Sequence, residues 1–367
     1  MAEATVGAEP AKKKRATWKT VLSAVVGLVI VAGVFVYAIP KFADYSQIWA
    51  AMKTLTPLEF WSLFAATVFN LFTYWLANQA ALPGIKLSRA AVLTQTTTTV
   101  ANTLPAGGAI AVGLTYSILN SWGFLGTDVA LYVGVTGIWN IFTKLALPVI
   151  ALLLLVVTGE FRPALLTATV VGVVALIVAV VLLAMVFRSE PLARKVGDFF
   201  GRVVGWFRRL FRRPSETHLG DSAVRFRRDT IGLVERRWFR LTWTTVLSQL
   251  ALCFVLILSL RSMGISEQEI STVEIFAVFS FSRLLSAVPL TPGGVGVIDL
   301  GYVAGLTGFY NGQKPEVVAA VLIFRALTYG IQIPIGIFTY WIWQAKKSWR
   351  RDVRDKGVEL TEQTSAG

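Results

Sequence analysis

Four ionisable side chains interrupt segments that are otherwise long and apolar: Lys144, Arg283, Asp299 and Arg325. An ionised group at bilayer depth is costly, so such groups face the protein interior, find partners and often mark a transport path. Three cations against one carboxylate leave room for an anion. Arginine suits a phosphate especially, because its planar guanidinium can donate two hydrogen bonds at once. The residue types therefore predict a phosphate-binding site.

Asp299 and the buried amides each have more than one interpretation. Asp299 can be the counter-ion of Arg283 or Arg325, a proton-coupling or amine-recognising group, or half of a purely structural ion pair. Five amide side chains are candidates for lining a polar cavity, although hydrogen bonds between helices explain them equally well. They are Asn102, Asn140, Gln95, Gln249 and Gln332.

The residue types also exclude several kinds of chemistry. Cys253 is the only cysteine and His218 the only histidine, which argues against zinc sites, Ser-His-Asp triads and Cys-His pairs. P-loop, zincin and serine nucleophile patterns are absent, and residues 294–299 lack the third glycine of a dinucleotide loop. We therefore expect no metal and no cofactor. An enzyme built on this chain would work with carboxylates, lysines or arginines.

The composition indicates what kind of element carries these residues. The chain has 367 residues, of which 55% are hydrophobic and 15% are charged. An average soluble domain has about a quarter of its residues charged. The sequence therefore predicts a polytopic membrane protein. The formal net charge is +14, and the basic residues that produce it lie between the apolar runs. The positive-inside rule explains this distribution without a nucleic-acid partner.

Six apolar runs are long enough to cross a bilayer, and two more segments are broken. The runs are residues 18–39, 57–80, 128–157, 164–187, 241–261 and 317–345. Residues 18–39 are longer than a signal-peptide core and are expected to be a retained anchor. Segments 90–120 and 275–309 are split by Gly107-Gly108 and by Pro292-Gly293-Gly294. Non-helical backbone at membrane depth is tolerated only inside protein or beside a cavity, so both are predicted to be re-entrant hairpins that form the site.

Basic residues predict the orientation. The tails, 1–17 and 346–367, and the loop 188–240 are rich in Lys and Arg, so all three are predicted to be cytoplasmic. The C-terminal tail is expected to be partly disordered. Within the loop, residues 194–213 are either an interfacial helix on anionic lipid or a basic linker. The loop is also the candidate surface for a protein partner or a homo-oligomer.

The two broken segments align in an internal repeat. A shift of 186 residues (293 − 107) places the Gly-Gly pair of the first on that of the second, and carries the flanking spans onto spans identified independently. We therefore predict an all-α domain over 18–345 with about six full spans and two hairpins. Three spans separate the hairpins, so repeats 57–157 and 241–345, connected by helix 164–187, would be inverted, as is typical of transporters. The alternative is that the glycines only permit close helix packing.

Residues 292–299, Pro-Gly-Gly-Val-Gly-Val-Ile-Asp, resemble a motif of the lysylphosphatidylglycerol synthase transmembrane family. This is the flippase-like region of the multiple peptide resistance factor proteins. The family has Glu where this chain has Asp299, and an Asn-x-Leu-Pro element similar to residues 102–105. Its first hairpin often carries an acidic residue and an Arg that residues 109–114 lack, so no role is carried over there.

The resemblance covers nearly the whole chain, so we expect this protein to lack the family's soluble aminoacyl-transferase domain. It implies lipid translocation or lipid binding in a bacterial cytoplasmic membrane, not lysyl transfer. The leading hypothesis is movement of an anionic phospholipid, or another phosphate-headgroup amphiphile, between leaflets. Arg283, Arg325 and Lys144 would bind the phosphate, and Asp299 would balance or gate them. The alternatives are a membrane-embedded transferase with Asp299 as base, and a non-transporting module that recruits partners through 188–240.

Overall fold

The computed structural model describes residues 45–104, 106–159, 219–286, 291–310 and 314–349, with single positions between 174 and 195. Within these ranges the chain is helical and has no β-strand, so the all-α prediction is confirmed. The α-helices are α1 (Tyr45–Met52), α2 (Pro57–Ala81), α3 (Leu87–Thr103), α4 (Gly107–Ser121), α5 (Gly126–Val157), α6 (Leu219–Arg261), α7 (Thr272–Leu285), α8 (Val297–Thr307), α9 (Lys314–Arg325) and α10 (Gln332–Ala345). A π-helical segment, Ala326–Gly330, joins α9 to α10, and 3-10 turns occur at Pro292–Gly294 and Lys347–Trp349.

Four helical stretches in the described part of the chain are long and apolar enough to cross a membrane. They are Pro57–Ala81, Gly126–Val157, Glu235–Arg261 and Lys314–Ala345. Each coincides with an apolar run predicted from the sequence. The predicted spans 18–39 and 164–187 lie outside the described residues, apart from single positions of the second.

Helix α6 is longer than the predicted span 241–261. It begins at Leu219, so residues 219–240 of the segment predicted as a cytoplasmic loop are helical and continuous with the span. The stretch 194–213 lies almost entirely outside the described residues.

The loop between α6 and α7 is held by side chains that satisfy its backbone. Arg261 ends α6, donates to the carbonyl oxygens of Ile265 and Ser266 at 2.9 and 2.8 Å, and forms an ion pair with Glu267. The backbone N–H of Ser266 donates to Glu269 at 2.7 Å, and this bond lowers the pKa of the Glu269 carboxyl. These bonds fix the chain where it leaves one helix and enters the next.

The first broken segment is a helix, a tight break and a second helix. α3 ends at Thr103, and α4 begins at Gly107 after three residues. Ala106 turns the chain with φ of 54°, a left-handed conformation that costs a residue with a Cβ about 1–2 kcal/mol. A Cβ on Gly107 would overlap the carbonyl groups of Val100 and Ala101. Glycine therefore lets α4 begin directly against the last turn of α3.

The second broken segment has a longer break, between the end of α7 and the start of α8. Its 3-10 turn is Pro292–Gly294. Gly293, Gly294 and Gly296 have φ of 58°, 68° and 87°, which side chains disfavour and glycine adopts freely. A Cβ on Gly293 would also overlap the ring of Tyr329. Backbone conformation therefore favours glycine at all three positions, and the close approach of this ring adds a second requirement at Gly293.

Long-range packing joins helices from the two halves of the chain. α2 packs along α6, α3 along α10, and α5 along α7. Between α3 and α10, the hydroxyl oxygens of Thr96 and Thr339 are 2.9 Å apart, and Thr99 donates to the carbonyl oxygen of Gln332 at 2.7 Å. Gly336 approaches Thr99 so closely that a Cβ there would overlap it. Small and hydroxylated residues are what tightly packed membrane helices use.

Candidate functional site

A cavity of about 640 Å³ lies between the two breaks. Its wall includes the first residues of α4, the turn at Gly293 and Gly294, and parts of α3, α5 and α7. This volume falls within the range of about 300–1,000 Å³ that is usual for small-molecule sites. The charged residues in the described wall are Lys144, Arg283 and Arg325, and that wall contains no Asp or Glu. The charges in the described wall are therefore all positive, in a lining that also includes apolar side chains such as Leu71, Leu252 and Phe324.

Arg283 lies in the last turn of α7, where the exposed carbonyl groups of a helix favour a cation. Its Nε donates to Oε1 of Gln249 at 2.9 Å. Gln249 belongs to α6 and is fully buried. The Nη groups of Arg283 have no hydrogen-bond or ion-pair partner among the described residues. One edge of the guanidinium is thus held by protein, and the remaining donors are available to a ligand.

Lys144 extends from α5 into the same cavity. It is partly buried, and within the described ranges its ammonium has no hydrogen bond and no salt bridge. Lys144 and Arg283 therefore place two positive charges in the wall of one cavity. Like charges at close range disfavour each other unless an anion lies between them. The pair therefore has the charge pattern of an anion site.

Arg325 differs, because its charge is balanced. Its Nε lies 2.5 Å from Oδ1 of Asp299, and its Nη2 donates to the carbonyl oxygen of Gly293 at 3.3 Å. The other oxygen of Asp299 accepts the backbone N–H of Gly296 at 2.7 Å. Of the roles considered for Asp299, this geometry fits a counter-ion of Arg325. Together the pair holds the second break against the end of α9.

Tyr329 connects the two breaks. It lies in the π-helical segment, a distortion that often occurs at functional sites. Its hydroxyl donates to the carbonyl oxygen of Asn102, at the first break, with a distance of 2.7 Å. The Arg325 guanidinium lies 4.7 Å from the centre of its ring, which also covers Gly293. One side chain therefore contacts the first break, the second break and the buried ion pair.

The structure brings most of the predicted site residues to the cavity wall. Asp299 lies outside this wall, only 1% exposed, and Pro292 begins the adjoining turn. The predicted residues in the wall are Asn102, Gly107, Gly108, Lys144, Arg283, Gly293, Gly294 and Arg325.

The amides separate into different roles. Gln95 and Gln332 line the cavity, whereas Gln249 lies behind Arg283. Asn140 is exposed and donates to the carbonyl oxygen of Thr136 in its own helix at 3.2 Å, so it takes no part in the cavity.

Eight further polar residues of the wall were not predicted from the sequence. They are Tyr74, Thr94, Thr98, Ser286, Thr291, Tyr302, Thr328 and Tyr329. A tyrosine or threonine within an apolar span is common and gives no signal by itself. The contacts of Tyr329 depend on how the two breaks meet, which a single sequence does not express.

The fold and the cavity define an α-helical membrane protein with several spans and an internal cationic site. The chain belongs to the family of the lysylphosphatidylglycerol synthase TM region, whose family model matches residues 24–336. This confirms the family predicted from residues 292–299. A search of curated proteins found no significant match. The family and the apolar helices establish a multi-pass membrane protein, and the family associates it with lipid metabolism.

Proposed function

We propose that this protein is a lipid translocase that moves an anionic phospholipid, or another amphiphile with a phosphate headgroup, between the leaflets of its membrane. The observation that carries the proposal is the cavity of about 640 Å³ between the two helix breaks, whose described wall holds three cations and no carboxylate. Asp299 balances Arg325 alone. Two positive charges, on Arg283 and Lys144, remain for the headgroup.

The donors around the cavity suit a phosphate. Arg283 offers the Nη groups of its planar guanidinium, and Lys144 adds an ammonium group on a flexible side chain. The first residues of α4, Gly107 and Gly108, also line the cavity, and this helix start has no side-chain cap. The N–H of Gly107 donates to the carbonyl oxygen of Leu104 at 2.9 Å and that of Ala109 to Ala106 at 3.0 Å, so among the described residues this helix start leaves the N–H of Gly108 for an anion.

The pairing of helices supports alternating access. A shift of 186 residues relates α3 to α7 and α10 to the second half of α5, so the α3–α10 contact corresponds to the α7–α5 contact. Reciprocal contacts of this kind are what an inverted repeat produces. In the proposal, repeat 57–157 rocks against repeat 241–345 around the cavity. Six full spans and two re-entrant hairpins are part of the same proposal.

The proposed setting is a bacterial cytoplasmic membrane with both termini in the cytoplasm. The basic residues of the tails and of 188–240 support this orientation. A protein partner or homo-oligomer contact through 188–240 stays a prediction. Asp299 as the base of a transferase has less support, because it is 1% exposed and held by Arg325 and Gly296.

The test is leaflet exchange of fluorescent lipids in proteoliposomes. Fluorescent phosphatidylglycerol and a fluorescent polyprenyl phosphate are compared, because both present the same phosphate chemistry. The wild type should accelerate exchange of at least one of them. Arg283→Gln and Lys144→Gln should each slow it about tenfold or more, since a hydrogen bond to a charged group contributes about 1.5–3 kcal/mol.

Arg236→Gln is the matched control. Arg236 is an exposed arginine of α6 outside the cavity, so its replacement removes a positive charge without touching the site. It should leave exchange unchanged, and thermal unfolding in detergent should show that all variants are folded. No acceleration of either lipid by the wild type would contradict the proposal. Wild-type exchange in both cavity variants would contradict the assignment of the site.

A further inference from the structure

Gln249 is a buried side chain to which the proposed function assigns no role. It is 0% exposed, and its Oε1 accepts from Nε of Arg283 at 2.9 Å. Its Nε2 has no hydrogen-bond partner among the described residues. Leaving a buried amide donor unpaired is destabilising. A hydrophobic residue of similar size would avoid that cost, so the side chain is better explained by what its oxygen does for Arg283.

The two arginines of the cavity have partners of different charge. Arg325 is bound by the carboxylate of Asp299, which cancels its charge. Arg283 is bound by the neutral amide of Gln249, which leaves its charge intact. Both partners contact the Nε edge of the guanidinium. The difference therefore lies in the charge that each arginine retains toward the cavity.

We propose that Gln249 is a positioning residue that orients Arg283 while preserving its charge, so that Arg283 and Lys144 are the primary phosphate-binding pair. Arg325 and Asp299 then hold the second break in shape. This inference rests on the proposed function and names the binding residues within the same cavity.

The geometry of guanidinium explains why a neutral acceptor suits this position. The group is planar, so a bond to Nε restricts the plane and directs the Nη donors. Gln249 lies on α6, a long helix that packs along α2, which gives the acceptor a rigid support. A carboxylate here would hold Arg283 more strongly, since charge-assisted bonds are the stronger kind. It would also neutralise one of the two free cations.

The decisive variant is Gln249→Glu. It keeps the shape of the side chain and strengthens the hydrogen bond to Arg283, but its negative charge cancels the positive charge of Arg283. Its melting temperature should equal or exceed that of the wild type, while its affinity for short-chain phosphatidylglycerol and its exchange rate should fall about tenfold or more. Gln249→Met removes the bond and keeps the charge on Arg283. It should weaken binding by a smaller factor, because the guanidinium is no longer oriented.

Gln79→Glu is the matched control. Gln79 is only partly buried, whereas Gln249 is fully buried, and its Nε2 donates to the carbonyl oxygen of Ile85 at 3.3 Å; it lies outside the cavity. This substitution introduces the same negative charge and should leave binding and exchange unchanged.

The outcomes separate this inference from the proposed function. Wild-type exchange with normal binding in Gln249→Glu would overturn the inference and leave the translocase proposal standing. If Gln249→Glu does not fold, Gln249→Met decides, and wild-type affinity in that variant overturns the inference. A wild type that neither binds nor exchanges phosphatidylglycerol or polyprenyl phosphate overturns both. Loss of binding in a stable Gln249→Glu, beside an unaffected Gln79→Glu, supports the positioning role.

Discussion

Arg283 and Arg325 are the same residue type and line the same cavity, yet they have different roles. Arg325 is locked by Asp299 and by the carbonyl oxygen of Gly293. Arg283 is oriented by the amide of Gln249 and keeps its charge. The partner of each arginine therefore determines whether its positive charge stabilises the fold or remains available to bind a ligand.

Asp299→Asn tests the structural role of this buried pair. The asparagine can still accept the backbone N–H of Gly296, but Arg325 loses its counter-ion. Removing one partner of a buried pair typically costs about 3–5 kcal/mol, so we expect the free energy of unfolding in detergent to fall by about 3 kcal/mol. The double variant Asp299→Asn with Arg325→Gln should recover part of this loss, because the uncompensated charge is gone.

Asp128→Asn is the control for the pair. Like Asp299 in α8, Asp128 is the third residue of its helix, α5. It accepts the backbone N–H of Leu125 at 3.2 Å. It has no cationic partner in the described part of the chain. Its replacement should cost about 1 kcal/mol or less, as for a helix cap alone. Equal losses for the two asparagine variants would show that the Asp299–Arg325 pair adds nothing to stability.

Residue-level prediction selected the residues whose type is unusual for an apolar span. Lys144, Arg283, Asp299 and Arg325 stood out because a charge in an apolar span is expensive. The choice of Arg325 as partner of Asp299 was open, since it depends on how the chain folds between α7 and α8. Tyr329 gave no signal, because an aromatic residue in a span is ordinary.

Helices α3 and α4 meet at a break whose two glycines look equivalent in the sequence. They differ in the structure. A Cβ on Gly107 would overlap the backbone of Val100 and Ala101, whereas a Cβ on Gly108 would meet nothing within 4 Å. One glycine is therefore needed for the close approach of two helices, and its neighbour is not.

Gly107→Ala and Gly108→Ala form a matched pair that tests this difference. Gly107→Ala should destabilise the protein by about 1–3 kcal/mol, because the new methyl group forces the backbone of α3 away from α4. Gly108→Ala should be neutral or slightly stabilising, since alanine is the better helix former. Thermal unfolding of the two purified variants in detergent measures both. A melting temperature for Gly107→Ala equal to that of Gly108→Ala would contradict the close packing.

Helices could be predicted where the sequence clearly marks their boundaries. Apolar length marked the four described spans, and Pro/Gly clusters marked both breaks. The start of α6 at Leu219 was not predicted, because the charged residues of 219–240 obscure its continuity with the span. In α3, Thr96 and Thr99 form hydrogen bonds to α10. Which helix they would contact required the fold.

At the scale of the whole molecule, the two halves are joined by contacts that cross between them. α3 packs on α10 and α7 packs on α5, while α2 packs on α6. The predicted shift of 186 residues relates these contacts to one another, but a shift alone does not say which elements touch. If one repeat rocks against the other during translocation, the α3–α10 and α7–α5 contacts have to slide.

Thiol cross-links test this sliding directly. The single cysteine, Cys253, is first replaced by serine. Thr96→Cys with Thr339→Cys then joins α3 to α10 across the two halves, at a position where the native hydroxyl oxygens are 2.9 Å apart. A short, reducible bifunctional reagent should stop lipid exchange in proteoliposomes, and reduction should restore it, because alternating access requires the repeats to move.

The control joins two helices within one repeat. Asn78 on α2 donates to the hydroxyl of Thr94 on α3 at 2.7 Å, so Asn78→Cys with Thr94→Cys gives a side-chain pair at a similar distance. Because Thr94 lines the cavity, the rate of this double variant before cross-linking is the reference. Cross-linking this pair should leave most of the exchange rate, since α2 and α3 belong to the same moving body. Unchanged exchange in the fully cross-linked Thr96–Thr339 variant would rule out relative motion at α3–α10. Lipid would then have to pass along a path that the two halves form without rocking.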